Sequence, residues 1–245
     1  MHQSKLRQVK YENPPIIEAV CEFRFVQGGV QPALIPGRFY ERVKTEYPDI
    51  EMKKGVGVQE GGAQPTFVTQ ERTVFRNPTA NRLVQISPGM LAINQLRPYS
   101  DYATFHREIE ARFSDYSAVA DIRRITRIGL RYINRLTVPV GKTLEAVLHL
   151  GFKIPQGLPT KPDTYLLRLE FPYQAHRDRL ILIIARSGDD PQKEEVMLDL
   201  DYIAIKPEQI EQGELMRWVD TAHEAIEDVF HACVTQEAVA SFRPV

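Results

Sequence analysis

Residues 14–26, PPIIEAVCEFRFV, alternate after their two prolines. Ile17, Ala19, Cys21, Phe23 and Phe25 fall on one face, and Glu18, Val20, Glu22 and Arg24 on the other, the period-two signature of a half-buried strand. After the turn residues QGG, Phe39, Val43 and Tyr47 recur at helical spacing in PGRFYERVKTEY until Pro48 stops the run. KKGVGVQ, TFVTQERTVFR and RLVQISPGMLAINQL, separated by EGGAQP and NPTAN, predict a strand meander. Asp101 then suits a helix N-cap, and Tyr102, Phe105, Ile109, Phe113 and Tyr116 line one side of a long helix running to about Ala120.

The same order begins again at residue 124. A strand to residue 138 is followed by a short helical run, KTLEAVLHL, and by a Pro/Gly-rich loop, KIPQGLPTKPD. Three strands follow, TYLLRLEFPY, RLILIIAR and EEVMLDLDYIAI. The last element is a helix from about Glu214 to Thr235, with Leu215, Val219, Ala222, Ile226, Val229, Phe230 and Cys233 on its apolar side. Two local matches support a repeat. Phe23-Arg24-Phe25-Val26 parallels Leu130-Arg131-Tyr132-Ile133, and His106, Ile109, Glu110 and Phe113 parallel His223, Ile226, Glu227 and Phe230. The helix match is offset about ten residues further than the strand match, which places an insertion in a loop of the second half.

The expected fold is therefore α+β, with two pseudo-repeats of strand, helix, antiparallel meander and long helix. This is the element order of TATA-binding-protein-like and helix-grip architectures, in which a curved antiparallel sheet packs on long helices. The halves would be residues 1–121 and 122–245, packed as one compact unit. Such an analogy concerns the fold and carries no function.

Residues 123–136, RRITRIGLRYINRL, place Arg123, Arg127, Arg131 and Arg135 four apart. On a regular strand all four leave the sheet on one side, while Ile128, Leu130, Tyr132 and Leu136 enter the core. Glu18, Glu22, Arg24, Arg168, Glu170, Asp199 and Asp201 lie on the polar faces of other predicted strands. One expectation is that these charges pair across strands, each pair contributing about a few tenths of a kcal/mol. The other is that Arg123, Arg127, Arg131 and Arg135, with Asp199 and Asp201, line a groove for an acidic partner, since guanidinium forks suit bidentate anion recognition. The interleaved carboxylates disfavour a bare phosphate track and favour a protein surface of mixed charge.

Composition narrows this further. The chain has 31 Lys and Arg against 32 Asp and Glu, a net charge of −1, so no global field draws in polyanions and any such site must be local. Two cysteines, Cys21 and Cys233, exclude a disulfide framework and a cysteine-rich zinc site, and fit a reducing compartment. The basic start, MHQSKLRQVKYENPP, lacks the apolar stretch of a signal peptide. No apolar run approaches the roughly 20 residues of a membrane span. A cytoplasmic protein without membrane association is the expectation.

Several constellations invite chemical readings. VPVGKT resembles the end of a phosphate loop, but the required earlier glycine is replaced by Leu136. His223, Glu227 and His231 stand four apart on one helix; with no ligand from another element, an exposed, mutually hydrogen-bonded face is preferred to a metal site. Trp218 lies beside an apolar helix side and reads as core, and both cysteines sit where thiols are inert. No catalytic set is evident, and no cofactor is implied.

The blocks NPPIIEAVCEFRF, RIGLRYINRL and HEAIEDVFHACVTQEAVASF together resemble a sporadically distributed bacterial family of about this length, marked by its Arg-x-Gly-Leu-Arg-Tyr-Ile-Asn segment, here Arg127 through Asn134. The resemblance spans the chain from start to end and transfers no catalytic or cofactor-binding residue. Scattered occurrence is the habit of mobile genes, so the resemblance implies a phage-defence or toxin–antitoxin-like setting and a partner protein. The leading expectation is a non-enzymatic interaction protein or complex subunit, binding a protein partner or itself. The alternatives are nucleic acid or nucleotide on the arginine-lined face, and a small ligand or substrate in a cavity between sheet and helix, with His106, His223 and Tyr132 as its titratable groups.

Overall fold

The computed structural model describes residues 11–59, 66–159, 162–188 and 194–244. The basic segment 1–10 and the separator EGGAQP at 60–65 lie outside the described residues. Nine strands form one curved sheet: β1 (Ile16–Gln27), β2 (Asp49–Gln59), β3 (Thr66–Asn77), β4 (Arg82–Ser87), β5 (Met90–Leu96), β6 (Ile122–Val138), β7 (Leu166–Tyr173), β8 (Asp178–Ser187) and β9 (Glu194–Ala204). Their order across the sheet is β2-β3-β4-β5-β1-β6-β9-β8-β7, and each neighbouring pair is antiparallel. The two strands that open the predicted halves, β1 and β6, therefore meet at the centre.

The helices are α1 (Ile35–Val43), α2 (Tyr102–Ser117), α3 (Leu215–Cys233) and α4 (Gln236–Ser241). The predicted N-cap of α2 is present, Asp101 accepting the Thr104 N–H at 2.7 Å. Phe105, Ile109 and Tyr116 of α2 are buried against Phe23 and Phe25 of β1, with Phe113 and Phe23 ring centroids 4.8 Å apart. Val219, Ala222 and Ile226 of α3 cover the half of the sheet built from Val196, Leu198, Leu200 and Tyr202. Burial of each large apolar side chain contributes about 1.5–3 kcal/mol, so this shared helical face holds the molecule together. The two long helices touch where Tyr102 donates to Asp220 at 2.6 Å.

Four readings are corrected. RLVQISPGMLAINQL is two strands, β4 and β5, reversing at Pro88-Gly89; Gly89 has φ +69° and a Cβ there would lie 2.8 Å from the Phe25 carbonyl oxygen. KTLEAVLHL makes only one 3-10 turn, at Leu144–Ala146. Leu144, Val147 and Leu148 are buried, and after this single turn the segment bonds the end of α3, His149 N–H donating to the Cys233 carbonyl at 2.7 Å. The last helix stops at Cys233, and Thr235 caps a separate α4 by accepting the Ala238 N–H at 3.1 Å.

The fourth correction concerns the arginine row. Arg24 pairs with Arg127 but the next residue, Phe25, pairs with Ile125, so Thr126 is an extra residue in β6. Beyond that bulge Ile125 joins the core side with Phe25, and Arg123 leaves the row to pair with Asp121 at 3.0 Å. Only Arg127, Arg131 and Arg135 share the outward face.

Candidate functional site

The outward face of the central strands accounts for its own charges. Arg131 grips Asp199 with both arms of its fork, at 2.7 and 2.5 Å, and Asp199 is only 2% exposed. Arg127 lies 3.2 Å from Glu22 and 3.4 Å from Asp201, and Arg135 lies 3.8 Å from Glu195. Register explains the pairing: Arg131 is directly opposite Asp201, and Ile133 opposite Asp199, so the acids of β9 interleave with the arginines of β6. Burial pushes the Asp201 carboxyl up to about 6, outweighing the pull of Arg127 and Arg131. Each arginine predicted for the row thus has a carboxylate within the chain.

The inward face of the same strand builds something different. Tyr132 and Asn134 of β6 form one wall of a cavity of ≈ 290 Å³. Its other walls are residues 11 and 14–16 ahead of β1, the 99–102 segment leading into α2, and one stripe of α3 comprising His223, Ile226, Glu227, Phe230 and His231. The N-terminal wall is fastened at several points: Asn13 N–H donates to the Phe242 carbonyl at 3.0 Å, and Arg135 N–H to the Pro15 carbonyl at 2.9 Å.

Inside, the hydroxyls of Tyr99 and Tyr132 are 3.3 Å apart, and the Tyr132 hydroxyl is 3.3 Å from His223 Nδ1. The His223 ring lies flat on Tyr102, centroids 3.6 Å apart and planes 8° apart. Its other nitrogen, Nε2, is 4.0 Å from Glu227 Oε2. The Tyr11 hydroxyl is buried without a hydrogen-bond partner.

The chain matches no family profile, no curated protein and no solved structure. Function must therefore be argued from this geometry.

Burial drives the cavity's groups toward their neutral forms. It lowers His223 to about 4 and also lowers His231, while it raises the phenols of Tyr11, Tyr99, Tyr102 and Tyr132 above their ordinary value. Burial also raises Glu227, helped by Asp228 and Glu224. An effective general acid or base titrates near the working pH. The imidazole and the phenols are moved away from that range, and only Glu227 moves toward it.

Of the three titratable groups expected at such a cavity, His223 and Tyr132 are there, whereas His106 sits behind them, 3.5 Å from Asp220. His223 is not on an exposed face, as its spacing suggested; the stripe faces an internal space. Among the described residues no group of three or more His, Cys, Asp or Glu is placed to hold a metal. Tyr11 and Tyr99 were not singled out by sequence reasoning and Phe230 only as an apolar helix position, and the three come from segments too distant for any local motif to connect. A second unanticipated cluster is structural. Glu108 accepts from Tyr47 at 2.8 Å and Arg82 at 2.7 Å and lies 3.2 Å from Arg112, tying the turn after α1, β4 and α2 together.

Trp218 and the cysteines behave as expected of core residues. Trp218 Nε1 donates to Asp178 at 3.1 Å, and burial pushes the Cys233 thiol up to about 11. No helix among the described residues is long and apolar enough to cross a membrane.

Proposed function

We propose that the chain is a small-molecule-binding protein whose site is the cavity between β6 and α3. The observation that carries this reading is the contrast between the two faces of β6. The outward Arg127 and Arg131 lie against Glu22, Asp199 and Asp201, whereas the inward side opens on an aromatic cavity at which the Tyr11 hydroxyl is buried without a hydrogen-bond partner. Its volume lies near the lower end of the roughly 300–1,000 Å³ of ligand pockets, which suits a compact ligand. The test is a thermal-shift survey of small metabolites of each charge class, repeated on Ile226→Trp, which fills the cavity. A compound that raises the Tm of the native protein but not of the variant supports the proposal. A survey in which no compound separates the two proteins refutes it.

A partner protein is the second reading, and the site on the far edge of the sheet favours it. Leu166 and Phe171 are exposed on the edge strand β7, and natural proteins commonly cover apolar strand edges. This reading would suit the complex-subunit role, in a defence or toxin–antitoxin-like setting, that the family resemblance implies. A co-purifying protein lost on Phe171→Lys would support it, and unchanged co-purification would remove it.

We also infer that the chain arose by duplication into two TATA-binding-protein-like halves. From the centre outward β1, β5, β4, β3 mirrors β6, β9, β8, β7, and a long helix follows the strand next to the centre in each half. Superposable halves in an experimental structure would support this, and unrelated strand curvature would oppose it.

A further inference from the structure

We propose that the ligand of this cavity is a small organic ammonium ion, held by aromatic rings and countered by Glu227. The proposal rests on the cavity reading above and names the class of molecule the cavity takes. Tyr11, Tyr99, Tyr132 and Phe230 all line the space, and among the described residues no lysine or arginine does. The rings of Tyr99 and Tyr132 stand 77° apart with centroids separated by 5.8 Å, making two nearly perpendicular walls. A corner of this kind can offer the negative faces of aromatic rings to a cationic head from more than one side, the arrangement by which proteins recognise alkylammonium groups.

The formal charges point the same way. Among the lining residues only Asp101 and Glu227 are acids, and the two histidines are held neutral by burial. An anion would meet the Glu227 carboxyl group and, among the described residues, no fixed positive side chain. The N-terminus of α2 adjoins the cavity and would by itself favour an anion, but it is already capped by the Asp101 carboxylate. An uncharged ligand would leave Glu227 half-buried with, among the described residues, only the neutral His223 paired to it, at 4.0 Å. A cation placed between Glu227 and the rings relieves that cost, because an opposite charge stabilises the ionised carboxylate. The ring faces then supply attraction that needs no hydrogen bond, so a fully alkylated ammonium is accepted as readily as a primary amine.

The test uses three soluble molecules of nearly the same shape that differ in charge: choline, 3,3-dimethylbutan-1-ol and 3,3-dimethylbutanoate. Their affinities are measured by titration calorimetry on the full chain and on Glu227→Gln, with Trp218 fluorescence as the control for folding. Choline is expected to bind at least tenfold more tightly than the alcohol, and the carboxylate not at all. Glu227→Gln is expected to remove most of choline's advantage while leaving the alcohol's affinity in place. Equal binding of choline and the alcohol, tighter binding of the carboxylate, or an unchanged preference in Glu227→Gln would overturn the proposal. If none of the three binds but a neutral or anionic compound from the survey is displaced by Ile226→Trp, the ammonium assignment falls and the cavity reading stands. If nothing binds, both fall.

Discussion

His223 makes the state of the cavity measurable without any ligand. Its side chain is 13% exposed, and burial lowers its pKa from 6.5 to about 4. In the unfolded chain the imidazole takes up a proton as the pH falls below about 6.5, whereas in the fold it stays neutral until about 4. Between these values the unfolded state binds more protons, so acid weakens the fold. At about 1.4 kcal/mol per pKa unit, the shift corresponds to about 3 kcal/mol of stability, present at pH 7.5 and lost by pH 4.

Asp201 acts in the opposite sense over nearly the same range. Burial raises its folded pKa from 3.8 to about 6, so the folded state binds the extra proton there and gains stability as the pH falls. The two contributions largely cancel in the native protein, which hides both. The informative quantity is therefore the difference between the native protein and His223→Asn, whose amide oxygen can still accept from Tyr132 but does not titrate.

The groups facing His223, namely Tyr102, His106, Asp220, Tyr132 and Glu227, are present in both proteins. Urea unfolding followed by the fluorescence of Trp218 supplies the two free energies. At pH 7.5 the variant should be weaker by about 1–3 kcal/mol, having lost the stack on Tyr102 and some volume. By pH 4 that gap should have closed by about 3 kcal/mol. A gap of the same size at both pH values would refute the burial of a neutral imidazole, and with it the enclosed character of the cavity.

Two further outcomes follow from the outward face. Asp201→Asn removes a carboxylate that burial disfavours, so it should stabilise the protein at pH 7.5 by as much as about 3 kcal/mol and have little effect at pH 4, read from the same urea curves. Arg131→Met strands the buried Asp199 and should cost about 3 kcal/mol, whereas Arg131→Met combined with Asp199→Leu should recover most of the loss; equal destabilisation by the single and double variants would show that the pair is not coupled.

What the sequence made legible were features whose physics is local. Alternation in β1 and helical spacing with Asp101 at the head of α2 both reflect one element meeting one core. The partners of the arginines were nameable for a related reason: Asp199 and Asp201 occupy the polar face of a predicted strand, and a sheet places polar faces together. The bulge at Thr126 left only a faint mark in the sequence: Ile125 and Ile128 stand three apart with Thr126 and Arg127 between them, a break in alternation whose meaning appears only against the register of β1. KTLEAVLHL reads as helical because its apolar positions have helical spacing, and it does close one local turn, but its later backbone bonds go to Cys233 and Thr235, which lie far along the chain. The stripe on α3 was found but placed in solvent. Polarity patterns distinguish apolar from polar surroundings, and a cavity edged by hydroxyls and imidazoles reads as water.

The alternation of β6 links both outcomes in a single strand. Arg131 and Tyr132 are consecutive, one anchored to Asp199 outside and the other hydrogen-bonded at the cavity inside. A slip of one residue would exchange every side chain between the faces, bringing a guanidinium into an aromatic space and a phenol among carboxylates. The bidentate Arg131–Asp199 bond therefore does more than satisfy two charges. Formed only in the correct register, it penalises the slipped pairing and fixes where Tyr132 and Asn134 stand. The row of arginines and the cavity are in this sense one device, with the salt bridges of the outer face holding the inner face in position.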